Sequence, residues 1–143
     1  MSVKQISVFM ENTPGRMAHF TRLMGENNIN IVSLTVADGP HLSILRCIVA
    51  EYEKAVEMLS ANGYNARLTD VLAVNVTNRP GELARVSEIL CENGINVEYI
   101  YSFVNGEEGQ ARFIVRVDKM EEAEKVLADA GVRLSSQQEL YAL

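Results

Sequence analysis

The sequence predicts an α+β fold made of two copies of a βαββαβ unit, each an antiparallel sheet with its helices on one face. The first observation is a repeat: the segment from Asn12 to Arg16, NTPGR, returns 66 residues later as NRPGE, from Asn78 to Glu82. The second is that the spacing of apolar residues changes in the same order in both copies. Because a repeat must hold a complete supersecondary unit, we divide the chain into domains at 1–69 and 70–143.

Each copy opens with a strand and then a helix. The apolar residues alternate with other residues from position 6 to 10 and from 72 to 76, which is the period of a strand. After the Asn-x-Pro-Gly turn, apolar residues recur every three or four positions and predict an amphipathic helix. We expect the helices to end at Asn28 and Gly94, since both residue types readily adopt the left-handed conformation that closes a helix.

The rest of each copy repeats as well. Strands are expected near 30–37 and 42–50, then near 96–104 and 109–117, joined by the hairpins Asp38–His41 and Asn105–Glu108. A second helix near 51–62 and 119–130 and a last short strand follow, so that only Thr69 and Asp70 connect the copies. The end of the chain is less regular, and Leu140, Tyr141 and Leu143 could extend the sheet. This order corresponds to the ferredoxin-like arrangement.

Composition excludes several classes of function. The net charge of −6 falls on the second copy, which carries seven basic and thirteen acidic residues against six of each in the first. A basic stripe is lacking, so we do not expect a nucleic-acid partner. An apolar stretch long enough for a membrane span and an N-terminal signal segment are lacking too. Cys47 and Cys91 form no metal or disulfide pattern and favour core packing in a reducing cytoplasm.

The repeated segments resemble the ACT domain. Asn-Arg-Pro-Gly-Glu-Leu after a strand, then Asn-Gly-Ile-Asn-Val opening the next, carry the resemblance in the second copy. Asn-Thr-Pro-Gly-Arg-Met and Asn-Asn-Ile-Asn-Ile carry it in the first. The likeness covers essentially the whole chain. It implies a tandem, stand-alone ACT protein that binds a free amino acid between two ACT units and controls amino-acid metabolism. From the residues themselves we expect no cofactor, no metal and no catalytic residues.

The resemblance also implies which residues bind the ligand. The asparagines before Pro-Gly and those that open the second strand would hold its amino and carboxylate groups, and the loop residues would enclose it. The candidates are Asn12, Thr13, Pro14, Gly15, Arg16 and Asn30 in the first copy, and Asn78, Arg79, Pro80, Gly81 and Asn96 in the second. An amide suits a zwitterion because it both donates and accepts. The start of a helix suits a carboxylate.

Structural roles are open for the same residues. Asn12 and Asn78 stand where a helix N-cap belongs, and proline is common at a first helical position. Asn30 and Asn96 could satisfy a sheet edge, and Pro-Gly is a common turn. The copies also differ, since Arg16 would attract a carboxylate and Glu82 would repel one, unless Arg79 compensates. We therefore expect the better site at the Asn12 loop.

Other residues are assigned simpler roles. We expect His19 and His41 at the surface, because neither has a partner at metal-ligand spacing. Tyr99, Tyr101 and Phe103 alternate along a strand and are expected to pack in the core or between copies, although they could line a ligand pocket. The apolar neighbourhood of the site, with Met10, Ile31, Leu34 and Val97, favours a small or medium apolar amino acid.

Three classes of function remain. The first is an amino-acid sensor that acts on a separate enzyme. The second is a small ferredoxin-like enzyme, which is disfavoured because no nucleophile stands beside a base. The third is a subunit that only assembles an enzyme; a chain similar to the small regulatory subunit of acetolactate synthase would combine the first and third. Exposed edges of the outer strands favour a homodimer.

Overall fold

The computed structural model describes residues 2–103 and 107–141 and confirms the predicted fold class. The chain folds into two compact units. The first unit is Lys4–Thr69, and the second runs from Asp70 onward together with residues 2–3. Each unit has an antiparallel sheet with its own hydrophobic core, and the two units are described separately below.

The first unit contains three strands, two helices and the first part of a fourth strand. The elements are β1 Val3–Glu11, α1 Arg16–Glu26, β2 Ile31–Ala37, β3 Leu42–Val49, α2 Tyr52–Ala61 and β4, which spans Asn65–Thr77. Its sheet order is β2-β3-β1-β4. In the register, Val8 lies opposite Leu45 and Leu34 lies opposite Cys47.

The second unit repeats this plan. It uses the rest of β4 and then α3 Glu82–Glu92, β5 Val97–Ser102, β6 Gln110–Val117, α4 Met120–Asp129, β7 Arg133–Ser135 and α5 Gln137–Tyr141. Strand β4 lies between β6 and β7, and β5 pairs with β6. Both units also share an irregularity in strand pairing. The register shifts between Ile31 and Ser33 in β2 and between Val97 and Tyr99 in β5.

The alternating strand residues form the core under the helices. Ile6 and Val8 on β1 pack with Phe20 of α1 and Leu59 of α2, all fully buried, and Leu72, Leu90 and Leu127 belong to the corresponding cluster of the second unit. A fully buried leucine is worth about 2 kcal/mol of hydrophobic free energy. The helix ends confirm the prediction: Asn28 has φ 58° and Gly94 has φ 68°, both left-handed.

Two local predictions are wrong. Thr69 and Asp70 do not form a connection between two strands, because β4 continues through both of them. The end of the chain forms helix α5 and not a strand at Leu140 and Tyr141, and Leu143 lies outside the described residues. Of the second hairpin, Asn105 and Gly106 also lie outside that range.

Several side chains differ from expectation. Cys47 is fully buried as predicted, but Cys91 is exposed on α3 because it lies away from the buried stripe of that helix. His41 is exposed, whereas His19 is half-buried, and its Nδ1 lies 2.6 Å from the hydroxyl of Tyr64. The three aromatic residues Tyr99, Tyr101 and Phe103 are half-buried.

Candidate functional site

The loop between β1 and α1 and its counterpart between β4 and α3 have the same geometry. Gly15 and Gly81 are the N-caps of their helices, with φ 89° and 91°. Such φ values suit glycine, because a side chain would crowd the backbone there. The main-chain bonds repeat too: the amide of Arg16 donates to the carbonyl of Thr13 at 3.4 Å, and the amide of Glu82 donates to the carbonyl of Arg79 at the same distance.

This geometry changes the roles expected for asparagine and proline. Asn12 and Asn78 are not N-caps, and Pro14 and Pro80 do not occupy the first helical position, because the left-handed glycine intervenes before the helix begins. No side chain caps either helix start. Since the amides of Arg16 and Glu82 already donate to the turn carbonyls, the amides of the next two residues of each helix are the ones left for a bound anion.

Asn12 is bound to the neighbouring hairpin. Its backbone amide donates to the carbonyl of His41 at 3.1 Å, and its side-chain Nδ2 donates to the carbonyl of Gly39 at 3.1 Å. The side-chain oxygen and the second amide hydrogen remain available to a ligand. Asn78 has the equivalent backbone bond, to the carbonyl of Gly109 at 2.9 Å.

A cavity of about 310 Å³ adjoins the Asn12 loop within the first unit. It combines polar loop groups with apolar side chains and is lined by Met10, Glu11, Asn12, Thr13, Arg16, Met17, Val36 and Ser43. A second cavity of about 290 Å³ shares Met10, Glu11 and Arg16 with it and extends to Tyr64. Sequence reasoning found Asn12, Thr13, Arg16 and Met10 but missed the hairpin side of the cavity, since that depends on strand register.

The charges near the two loops are more balanced than the sequence suggests. Arg16 lies 3.8 Å from Glu11. In the second unit, one carboxylate oxygen of Glu82 lies 2.9 Å from Nε of Arg79, and the other lies 3.7 Å from Nε of Arg85. Two arginines thus lie beside the Glu82 carboxylate, and one of them is Arg79.

The structure does not bring the two kinds of asparagine together within a unit. Asn12 follows Glu11, which pairs with Leu42, whereas Asn30 precedes Ile31, which pairs with Val49. The two pairs are seven residues apart along β3 (49 − 42), or about 23 Å at roughly 3.3 Å per residue.

The second unit shows the same separation. Thr77, next to Asn78, pairs with Gln110, and Val97, next to Asn96, pairs with Val117 (117 − 110 = 7). Asn30 and Asn96 are exposed, and the backbone amide of Asn96 donates to Oδ1 of Asp118 at 2.9 Å. One unit alone therefore cannot place both asparagines on one small ligand.

The other predicted pocket residues are partly explained by packing. Ile31 and Leu34 pack against the core of the first unit, and Val97 packs against that of the second.

Among the described residues, no group of His, Cys, Asp or Glu has the arrangement of a metal site. No helix within residues 2–103 and 107–141 combines the length and apolarity needed to cross a membrane.

A family model for the ACT domain pair matches residues 1–143, the entire chain. The chain belongs to the ACT domain pair family. The resemblance expected from the repeated segments is thus confirmed. The ACT fold is an amino-acid-sensing regulatory fold.

Solved structures agree with the ACT assignment. Protein BT0572 from Bacteroides thetaiotaomicron is 36% identical with a TM-score of 0.93, and the match covers 100% of this chain and 98% of that one. The regulatory subunit of aspartate kinase from Thermus thermophilus shares the ACT fold at 20% identity and a TM-score of 0.65, covering 89% of this chain and 91% of that one. A comparison with curated proteins finds no match.

Proposed function

We propose that this ACT domain pair is an amino-acid sensor that binds a free amino acid between ACT units, including its own two repeats, and controls a separate enzyme of amino-acid metabolism. The observation that carries the proposal is the cavity of about 310 Å³ beside the Asn12 loop. Its lining offers an amide, a hydroxyl, a guanidinium and a carboxylate next to apolar side chains. These are the groups that a zwitterion with an apolar side chain requires.

The separation of the asparagines supports a site shared by two units. Since Asn12 and Asn30 lie at opposite ends of one sheet, a ligand held by both kinds of asparagine needs one from each of two units. The site would pair Asn12 or Asn78 with the strand-opening Asn30 or Asn96 of a neighbouring unit, which is the other repeat or a second chain. The loop residues Thr13, Pro14, Gly15, Arg16, Arg79, Pro80 and Gly81 would enclose the ligand.

The proposal also includes the compartment, the oligomeric state and the ligand class of the sensor. We place it in the cytoplasm, where the free thiols of Cys47 and Cys91 would stay reduced. It would act as a homodimer and would use neither nucleic acid nor a membrane surface. The ligand is a small or medium apolar amino acid, because Met10, Met17 and Val36 line the cavity.

A thermal-shift screen of the twenty free amino acids tests the proposal. A ligand that binds only the folded chain raises the unfolding midpoint, and the rise grows with the ratio of ligand concentration to dissociation constant. We expect one apolar amino acid to raise it. No shift with any amino acid would overturn the sensor and leave a subunit that only assembles an enzyme.

Calorimetry with the identified amino acid tests the residues. Asn12→Ala removes a hydrogen bond to a charged ligand group and is expected to weaken binding by about 2 kcal/mol, roughly thirtyfold. Asn93→Ala is the matched control, since that exposed side chain only donates to the carbonyl of Ile89. Unchanged affinity in Asn12→Ala, or two equal sites, would contradict the assignment of the better site to the Asn12 loop.

A further inference from the structure

The second unit contains a buried polar cluster on the sheet face opposite its helices. Nε of Arg112 donates to Oδ1 of Asn75 at 2.6 Å, and Nδ2 of Asn75 lies 2.6 Å from the hydroxyl of Ser135. These three side chains are at least nine-tenths buried, with relative exposures of 8%, 8% and 0% for Arg112, Asn75 and Ser135. The proposed amino-acid sites do not use them.

The guanidinium of Arg112 forms no ion pair with a carboxylate among the described residues. Its guanidinium lies over the ring of Phe103, 5.3 Å from the centroid, and its Nη1 is buried without a hydrogen-bond acceptor. No ion pair joins it to a carboxylate in residues 2–103 and 107–141. Since arginine stays charged, burial without an anionic partner costs several kcal/mol.

A small void adjoins this guanidinium. It has a volume of about 10 Å³ and is lined by Asn75, Glu107, Gln110, Arg112 and Arg133. Such a volume holds a particle the size of one water molecule. Gln110 adds an amide donor, and Arg133 adds a second positive charge that it shares with Glu139 at 3.2 Å. Glu107 is exposed, and its negative charge works against an anion.

The cluster is not a requirement of the fold. In the first unit, the register pair that corresponds to Asn75 and Arg112 is Phe9 and Ile44. The same position in the other copy is therefore apolar, and a buried arginine bonded to an asparagine there needs a separate explanation.

We propose that this void is a binding site for a small monovalent anion, held by Nη1 of Arg112 with support from Gln110 and Arg133. The anion is either free chloride or one carboxylate oxygen of a ligand that enters from solvent, since both offer a compact negative charge to the guanidinium. The site is separate from the proposed amino-acid sites. Failure of one proposal therefore does not decide the other.

Chloride NMR line width tests the site in the full-length protein. Chloride that exchanges with a protein site gives a broadened line, and we expect a saturable excess width with the wild-type chain. Arg112→Met should lose most of this excess. Arg22→Met is the matched control, because Arg22 is an exposed arginine on α1, and it should keep the excess.

A competition separates the two sources of the anion. If acetate removes the excess width, the site accepts carboxylates; if only halides such as bromide remove it, the site takes free halide. Either result supports the proposal. Width that does not saturate, or that falls equally in Arg112→Met and Arg22→Met, would overturn it.

A second variant decides the matter if Arg112→Met fails to fold. Glu107→Gln removes the exposed negative charge from the lining of the void and leaves the buried cluster intact. Chloride should bind severalfold more tightly to this variant than to the wild type. Equal or weaker binding would place any bound chloride elsewhere and overturn the proposal.

Discussion

Single residues set the shape of both candidate loops. Gly15 and Gly81 have left-handed φ values, yet an added Cβ at either position would meet no atom within 4 Å. The requirement for glycine is thus one of backbone conformation and not of space. Gly25 offers a comparison, because it lies inside α1 and a Cβ there also has open space around it.

Substitution of these glycines by alanine should have opposite effects. Gly15→Ala is expected to destabilise the chain by about 1 to 2 kcal/mol, since alanine is strained at φ 89°. Gly25→Ala should stabilise it by up to about 1 kcal/mol, because glycine is a poor helix residue. Urea unfolding measures both values. Equal effects of the two substitutions would contradict the role of the left-handed cap.

The two thiols should differ in reactivity. Burial raises the pKa of the Cys47 thiol from 9.0 to about 12, whereas Cys91 is exposed. At pH 8 a thiol reagent should modify one cysteine, Cys91, in the folded protein and both cysteines in denaturant. The free energy of unfolding should also depend on pH: the contribution of the neutral Cys47 thiol is complete below pH 9 and is lost as the pH rises toward 12. Rapid modification of both thiols in the folded state would contradict this assignment.

At the scale of the elements, each unit closes its core with a helix laid on the sheet. Leu59 on α2 and Leu127 on α4 are the corresponding residues, 68 positions apart, and both are fully buried. They belong to separate clusters, each made of residues from its own unit.

Truncation of either leucine should therefore be costly. We expect Leu59→Ala and Leu127→Ala each to lower the free energy of unfolding by about 2 to 5 kcal/mol, through lost burial and the cavity left behind. Glu57→Ala on the exposed side of α2 is the control and should change it by less than about 0.5 kcal/mol. Denaturant titration gives the values, and a loss below about 1 kcal/mol at either leucine would be inconsistent with the packing.

The repeat in the sequence predicts most elements, because the same spacing of apolar residues can be compared between the two copies. The ends of α1 and α3 followed from Asn28 and Gly94, whose left-handed preference is local. The N-cap role considered for Asn12 and Asn78 is wrong, because the turn places a left-handed glycine directly before each helix. The sequence does contain a pattern that indicates helix α5. Ser136 and Glu139 form an S-x-x-E capping pattern, and the Ser136 hydroxyl accepts from the Glu139 amide at 3.2 Å.

The candidate site was less predictable than the fold. Loop residues such as Asn12 carry a recognisable pattern, but their distance from Asn30 depends on strand order. The pair Asn75 and Arg112 gave no signal, since the two residues are 37 positions apart and meet only through the β4–β6 register.

At the scale of the molecule, association is expected to use strand edges. Within their units, β2 and β5 each pair with one strand, β3 and β6, which leaves their other sides without a strand partner in the described sheets. Both edges carry exposed apolar side chains: Val36 is 45% exposed and Ile100 is 41% exposed. Such edges favour pairing between chains.

A lysine on the contacting edge should separate a homodimer. Light scattering is expected to give twice the 15.9 kDa chain mass for the wild type. Val36→Lys or Ile100→Lys should return the mass to that of one chain, because lysine discourages edge pairing. The substitution that returns the mass to that of one chain identifies the strand edge through which the chains pair. A monomeric wild type, or a dimer unaffected by both, would rule out association through these strands.

The hydrogen bond from the Asn12 side chain to the carbonyl of Gly39 offers a spectroscopic opportunity. The two protons of a carboxamide resonate separately because rotation about its C–N bond is slow, and the hydrogen bond to Gly39 holds this carboxamide where a nearby ligand changes its environment. The hairpin holding it is itself restricted, since a Cβ on Gly39 would come within 2.3 Å of the Leu42 carbonyl oxygen. Occupancy beside this loop could thus be followed by nitrogen-edited NMR without any attached dye.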